Sequence, residues 1–214
     1  MWAAVGAVVV VSCVVAVESS RILRLLPVPE GGASYASAAT ARFAIGAASL
    51  CAAAGLCAVG ALSWPMWLPW IGFAGLGVWL ACVDAVTGIV PRRVSHLAAA
   101  VIMILVTVQA AVEGSAAPLV RAVVGGTGVW LLFAGLWLVA RGAFGFGDVR
   151  YSLPWAMTAA AASWQHLGAA ALLGSVLALL YGLAAGALRG ARSFPYTPGL
   201  AAGLFAAAPL LAMQ

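Results

Sequence analysis

Two aspartates are the residues whose type and position point to chemistry. The chain has five acidic residues, and Glu18, Glu30 and Glu113 fall in breaks between apolar stretches, where they need no special role. Asp84 and Asp148 instead lie where an apolar stretch ends or begins. An aspartate inside a bilayer costs roughly 2.5–3.5 kcal/mol on insertion scales, so it is a functional candidate whose partner must be sought. The only comparable partner for each is the other.

Paired carboxylates can hydrolyse a bond without a metal. Like charges about 3 Å apart do not both ionise easily, so the pair shares one proton. The ionised member takes a proton from water, and the protonated member polarises a carbonyl group. Because the protons belong to the pair, the sequence does not say which residue is the base. The alternative is that both aspartates are interfacial and pair with Arg92, Arg93 or Arg150.

Each aspartate belongs to a short motif. Asp84 begins the pattern DxxTxxxP, and Asp148 ends the pattern GxGD, 64 residues later. The glycines of GxGD, Gly145 and Gly147, lack a Cβ atom, so they allow the chain to bend and a second backbone to come close. The alternative is that these glycines end a helix and that Pro91 ends the polar turn of the first motif.

The two motifs together resemble those of the type IV prepilin peptidases, which are bacterial membrane aspartyl proteases. Residues 194–199, Phe-Pro-Tyr-Thr-Pro-Gly, are similar to the Pro-Phe-Gly-Pro stretch that these enzymes carry before the last span. The resemblance covers about residues 43–214. It implies that Asp84 and Asp148 are catalytic and that the chain removes the leader peptide of prepilin or pseudopilin precursors at the cytoplasmic face of the bacterial inner membrane. It also implies a set of residues that bind substrate or shape the site: Thr87, Pro91, Gly145, Gly147, Arg150, Pro195 and Pro198.

The chain departs from the larger members of that family in one respect above all. Those members insert a cytoplasmic domain with two CxxC pairs, associated with methylation of the new N-terminus, between the first two spans. Here residues 18–42 occupy that place and contain no cysteine. The resemblance therefore implies a short form that cleaves but does not methylate. Arg92 also stands where the family usually has Asn or Asp, so contacts in that loop differ.

The composition requires membrane helices to position these residues. Of the 214 residues, 65% are hydrophobic and 7% are charged, and the mean hydropathy is +1.13. Soluble domains carry about a quarter charged residues, so the composition excludes a soluble domain, a disordered chain and a disulfide-stapled secreted domain. The net charge of +5 comes from arginines of the kind that mark cytoplasmic loops, so we expect a lipid bilayer, and not nucleic acid, as the partner.

The predicted fold is an all-α polytopic membrane protein with about eight transmembrane helices. Apolar segments near the roughly 20 residues that a span needs lie at 1–17, 43–62, 66–83, 95–112, 122–140, 149–164, 167–188 and 198–214. Several are short or rich in alanine, so seven spans is the alternative. Residues 1–42 form the first span and a short cytoplasmic connector, and residues 43–214 form the membrane-embedded peptidase domain.

The arginines set the orientation of these spans. With eight spans, nine of the ten arginines fall in loops on one side and Arg121 alone falls on the other. The arginine-rich side is cytoplasmic, so both termini face outside. An interfacial aromatic belt at the outer ends is then predicted from Trp64, Trp67, Trp70 and Trp164.

Other functions fit the residues less well. A small proton-coupled transporter could use the aspartate pair as a relay, but it should show internal repeats, and none is evident. Presenilin-type proteases carry Tyr-Asp at the first carboxylate, whereas Val83 precedes Asp84 here. His96 and His166 are not grouped with other metal-binding residues, and the cysteines form no CxxC pair, so no metal or cofactor is expected. The oligomeric state is left open.

Overall fold

The computed structural model describes residues 2–27, 34–140, 145–189 and 195–211. Eight α-helices follow one another along these ranges: α1 (Trp2–Leu25), α2 (Ala41–Ala61), α3 (Trp67–Thr87), α4 (Arg92–Glu113), α5 (Ala117–Ala140), α6 (Phe146–Ala162), α7 (Trp164–Arg189) and α8 (Thr197–Ala206). Short 3-10 helices cover Tyr35–Ala38 and Ala208–Leu211. These ranges contain no β-strand, which confirms the predicted all-α class.

Among the described helices, six are long and apolar enough to cross a membrane: α1, α2, α3, α4, α5 and α7. This finding confirms a multi-pass membrane protein and leaves the predicted count of eight spans unconfirmed. α6 has 17 residues and α8 has 10, fewer than the roughly 20 that a perpendicular span needs. The shortness of these two helices matters because the functional candidates lie at their first turns.

Two segments that were predicted to be loops are helical. α1 continues past the predicted first span, 1–17, to Leu25. It therefore includes Glu18, which pairs with Arg21 at 3.7 Å. Glu113 is the last residue of α4, and its Oε1 accepts a hydrogen bond of 2.9 Å from Gln109. Local side-chain partners along one helix face explain why these acidic residues extend helices instead of ending them.

Specific turn residues end the helices that lead to the site. Gly88 adopts a left-handed conformation, with φ of 69°, immediately after α3. Gly114 does the same after α4, with φ of 62°. Glycine adopts this backbone conformation without steric cost, so both helices stop at defined residues. At the start of α2, the side chain of Thr40 accepts a hydrogen bond from the Phe43 amide.

α3 and α6 form the centre of the bundle. α3 packs against α1, α2, α4, α6 and α8, and α6 packs against α3, α4, α5, α7 and α8. Buried hydrogen bonds join these helices: the Tyr151 hydroxyl donates to the Gly77 carbonyl at 3.1 Å, and the Trp155 indole N–H donates to the Leu200 carbonyl at 2.8 Å. These bonds tie α6 to the middle of α3 and to α8.

α5 and α7 lie at the periphery of the bundle. Glycines allow α5 to approach the central helix α6 closely and allow α8 to approach α7. A Cβ atom on Gly125 would lie 2.6 Å from the Ala160 Cβ of α6. A Cβ atom on Gly199 would collide with the backbone of Ala178, so α8 lies with its backbone against α7. Small residues permit this kind of contact between membrane helices.

The predicted aromatic belt is wrong for one of its members. Trp64 and Trp164 are exposed, as the prediction requires, but Trp70 is fully buried. Its ring packs 4.9 Å from His166 and 5.6 Å from Phe205, measured between ring centroids. Trp70 lies only three residues from the start of α3, on the face of the helix that the bundle covers.

Candidate active site

Asp84 lies in the last turn of α3, where the DxxTxxxP motif ends the helix. The Thr87 hydroxyl donates to the Val83 carbonyl at 2.8 Å and accepts from the Ile89 amide at 3.2 Å. The Gly88 amide donates to the Asp84 carbonyl at 2.7 Å. Thr87 therefore shapes the turn that follows Asp84. Its hydroxyl forms no hydrogen bond to either aspartate.

Asp148 lies in the first turn of α6, where the GxGD motif begins the helix. Gly145 is the N-cap residue, and its carbonyl accepts a hydrogen bond of 3.1 Å from the Asp148 amide. A Cβ atom on Gly147 would lie 3.1 Å from Cγ2 and 3.5 Å from the backbone nitrogen of Val90. Val90 belongs to the turn after Asp84, so the close approach at Gly147 joins the two motifs.

The two carboxylates face one cavity of about 210 Å³, whose wall includes Asp84, Gly88, Ile89, Val90, Gly145, Phe146, Gly147, Asp148 and Arg150. Asp84 is only 4% exposed, and Asp148 is partly exposed. The structure thus brings together two residues that are 64 positions apart in the sequence.

The alternative arrangement, with each aspartate paired to an arginine, is not formed by the described side chains. Within the four described ranges the recorded ion pair is that of Glu18 and Arg21. Arg150 instead places its guanidinium 5.3 Å from the centre of the Phe146 ring, and its Nε lies 3.4 Å from the Phe146 carbonyl oxygen. Among the described side chains, neither carboxylate is neutralised by an arginine.

Thr197 is a site residue that the sequence analysis missed. Its hydroxyl donates to Oδ2 of Asp84 at 2.7 Å, and its side chain is fully buried. Thr197 lies between Pro195 and Pro198, in the late turn, so its neighbourhood was noticed although the residue itself was not. The available signal was a hydroxyl side chain inside a turn whose two prolines had already been selected.

The prolines predicted to shape the site lie near the cavity and are not part of its wall. Pro91 is buried and is the N-cap residue of α4. Pro195 precedes α8, and Pro198 is the second residue of α8. Pro198 also borders an apolar groove of about 380 Å³ between α2, α3 and α8. Phe144 and Phe194, which complete the motifs, lie outside the described residues.

A second cavity of about 260 Å³ adjoins the first, and its wall includes Leu26, Pro27, Tyr35, Ile89, Val90, Pro91, Arg92, Arg93 and Arg150. Ile89, Val90 and Arg150 border both cavities. Burial raises the pKa of the Tyr35 phenol above its usual range, although the positive charge of Arg150 opposes the shift. Tyr35 therefore stays protonated at neutral pH and is a hydrogen-bond donor beside three arginines.

The arrangement is suited to adding water to a carbonyl group. Two carboxylates facing one small, half-enclosed cavity can hold a water molecule and a polarised carbonyl between them. In the described ranges, no group of three or more His, Cys, Asp and Glu side chains is arranged so that it could hold a metal ion. The expectation of no metal or cofactor stays a prediction.

Comparison with known proteins identifies no relative of this chain. No protein-family model matches this chain, and no curated protein or solved structure is similar enough to count as a match. The functional interpretation therefore depends on the motifs and on the geometry described above.

Proposed function

We propose that this protein is a membrane aspartyl endopeptidase that removes the leader peptide of prepilin-like or pseudopilin-like precursors. One observation carries the proposal: Asp84 and Asp148, from separate sequence motifs, face the same cavity without arginine partners. An unpaired carboxylate in a bilayer protein is expensive to keep. Two of them facing one cavity are explained by a reaction that uses both.

The proposed reaction is hydrolysis of one peptide bond. The ionised aspartate takes a proton from water, and the water oxygen bonds to the scissile carbonyl carbon while the protonated aspartate gives its proton to the carbonyl oxygen. In the second step the resulting diol gives a proton back to one carboxylate, the other carboxylic acid protonates the amide nitrogen, and the C–N bond breaks. The products are a carboxylic acid and a free amine, and the pair again holds one proton.

Cleavage of a co-expressed precursor tests the proposal. The precursor has a short basic leader ending in glycine, followed by an apolar helix, and a gel separates it from the mature form. We expect the wild-type protein to cleave it and both Asp84→Asn and Asp148→Asn to accumulate uncut precursor while still inserting in the membrane. Cleavage by either variant at a rate near wild type contradicts the proposal. A wild-type protein that moves protons but cuts nothing favours the transporter alternative.

We also propose that the chain lies in the bacterial inner membrane with the aspartates at the cytoplasmic face. The support is the nine-to-one distribution of arginines about the predicted spans. In this orientation α6 and α8 complete the count of eight spans as short, enclosed helices, and both termini face outside. Reporter fusions near Arg92 and near the C-terminus test it: we expect a cytoplasmic signal at Arg92 and an outside signal at the C-terminus. A cytoplasmic C-terminus contradicts the eight-span topology.

The proposed enzyme does not methylate its product. The connector between the first two spans contains the end of α1 and a 3-10 helix, Tyr35–Ala38, and residues 18–42 contain no cysteine with which to bind zinc. A segment this short does not form an independent domain without such support. Mass spectrometry of the mature pilin should find a free α-amine when no separate methyltransferase is present. An N-methylated product would contradict the prediction.

A further inference from the structure

Thr197 holds one oxygen of the Asp84 carboxylate in a defined position. The distance from Thr197 Oγ1 to Asp84 Oδ2 is 2.7 Å, the threonine is fully buried, and the aspartate is 4% exposed. A carboxylate has two oxygens, and both act as acceptors when it is ionised. Oδ2 is held by the threonine, so Oδ1 is the oxygen that this hydroxyl leaves unbound.

The helix that carries Thr197 is fixed on two sides. On one side, the Trp155 indole of α6 donates to the Leu200 carbonyl at 2.8 Å. On the other, Gly199 lies so close to Ala178 of α7 that a Cβ atom would overlap the backbone there. Thr197 is the first residue of α8. It therefore cannot move away from Asp84 unless α8 moves as a whole.

The surroundings of the two aspartates are unequal. A hydroxyl donor favours the ionised form of a carboxylate, and the N-terminus of a helix favours negative charge. Asp84 lies in the last turn of α3, where negative charge is disfavoured, but the Thr197 hydroxyl and the N-terminus of α8 offset this effect. Asp148 has the N-terminus of its own helix α6 and the Gly145 backbone, but no described side chain donates a hydrogen bond to it.

We infer that Thr197 is a positioning residue that fixes Oδ2 of Asp84, aims Oδ1 at the cavity and makes Asp84 the base of the pair. Asp148 is then the member that carries the shared proton in the resting state. The inference rests on the proposed peptidase function. It goes beyond that function because it assigns unequal roles that the sequence leaves open, through a residue that lies outside both aspartate motifs.

The charged and titratable groups around Asp84 stay the same when Thr197 is changed. Asp148 and Arg150 border the same cavity from α6. The Tyr151 phenol of α6 and the Tyr35 phenol of the connector also interact electrostatically with Asp84. From α8, the hydroxyl and the backbone of Thr197 reach the carboxylate, and a change of the side chain removes only the hydroxyl. A shifted pH profile in a Thr197 variant therefore reports the lost hydrogen bond.

The test is the pH dependence of cleavage by the purified full-length protein in liposomes, with a synthetic precursor whose basic leader ends in glycine before an apolar helix. Thr197→Val removes the hydroxyl at nearly constant volume, and Thr197→Ser keeps it. In Thr197→Val we expect the acidic limb of the kcat profile to move to higher pH by about one to two units, with KM unchanged. A shift of this size corresponds to the loss of a hydrogen bond to a charged group. Thr197→Ser should follow the wild-type profile.

Thr158→Val is the matched control, because Thr158 is also fully buried but its hydroxyl donates to the Pro154 carbonyl of its own helix. It should leave the acidic limb in place. If Thr197→Val does not fold, Thr197→Ala removes the same donor without adding volume. The inference is overturned if the folded variant without the hydroxyl, Thr197→Val or Thr197→Ala, keeps the wild-type pH profile. It is also overturned if the Thr197→Ser profile shifts as far as the profile of that variant. Neither result affects the proposed function. A wild-type protein that does not cut the precursor overturns both the inference and the proposed function.

Discussion

An ionisable side chain lies at each end of α6, and each suits the helix dipole. The two side chains differ in whether the protein provides them with hydrogen-bond partners. Asp148 lies in the first turn, where negative charge is favoured, and Arg121 reaches the last turn from α5, where positive charge is favoured. The Arg121 guanidinium donates to the carbonyls of Ala160 and Ala161, at 3.2 Å and 2.7 Å. Asp148 receives no side-chain donor in the described structure and faces a cavity. A helix of 17 residues separates the two ends by about 25 Å.

The difference between Asp148 and Arg121 shows how a charged residue kept for stability can be distinguished from a candidate for function in a membrane protein. Arg121 satisfies backbone carbonyls that would otherwise lack partners at the end of a helix, so it is explained by stability. Among the described residues, Asp148 has the Gly145 backbone beside it but no side-chain partner. A carboxyl group that is kept in an apolar bundle, without a side-chain partner and beside a cavity, is a functional candidate.

The largest expected effect is at the first turn of α6. We expect Asp148→Asn to lower kcat by about 10²–10⁴-fold, the contribution of a positioned acid or base. Its melting temperature should equal or exceed that of the wild type, because the substitution replaces one of two carboxyl groups that must share a proton in an apolar bundle. A thermal melt in detergent, run beside the cleavage assay, measures both. A clear loss of stability would show that Asp148 is structural and would remove the contrast between the two ends.

Arg121→Met should produce the opposite pattern at the last turn. It leaves two carbonyls without their donor, at a cost of about 1–3 kcal/mol, which lowers the melting temperature by several degrees for a chain of this size. The cleavage rate per folded molecule should stay close to wild type well below the melting temperature. Arg42→Met is the control, because Arg42 is exposed on α2 and its loss should change neither quantity.

A smaller effect is expected at Gly147, where α6 touches the turn after Asp84. In Gly147→Ala the new methyl group lies 3.1 Å from Val90 Cγ2, so the two motifs separate by a few tenths of an ångström. Misplacement by 1 Å costs about 100-fold in rate, and we expect a loss below that limit. Gly128→Ala on α5 is the matched control, since nothing lies within 4 Å of its Cβ position. Equal rates for the two variants would argue against this contact as the positioning device.

The smallest effect is expected for His166→Phe, near the last turn of α6. His166 is buried against Trp70, and within the described residues neither of its ring nitrogens has a hydrogen-bond partner. Replacing a buried polar ring by an apolar one of similar shape is nearly neutral or stabilising. The cleavage rate should therefore be unchanged and the melting temperature equal or slightly higher. A large loss of activity would assign a role to this end of the bundle.

Hydrophobic runs and motif spacing predict the all-α membrane class and the identity of the paired aspartates. They do not predict helix ends, because those depend on local hydrogen bonds. The ion pair of Glu18 with Arg21 and the bond from Gln109 to Glu113 extend helices through polar residues that the hydropathy pattern assigns to loops.

The hydropathy pattern and the motif spacing also do not predict contacts between distant segments of the chain. Thr197 and Asp84 are 113 residues apart, and Arg121 reaches Ala161 over 40 residues. Each bond depends on how whole helices pack. The prolines beside Thr197 mark its turn but do not say which residue the hydroxyl contacts, and the neighbours of Arg121 do not distinguish it from a loop charge. Trp70 is missed for the same reason, since its burial is decided by the helices that cover α3.

The backbone contact between α7 and α8 has a consequence for how the protein is made. α8 spans about 15 Å, half of the hydrocarbon thickness, and in the proposed eight-span topology it enters the bilayer as the second arm of a hairpin with α7. Thr197 travels with that hairpin, and ribosomes add about 5–20 residues per second. Asp84 therefore waits on the order of ten seconds after its own synthesis before its partner arrives. Under the proposed function, a chain still emerging from the ribosome carries both aspartates but an unfinished proton-transfer site, so it would not cleave a substrate before it is assembled.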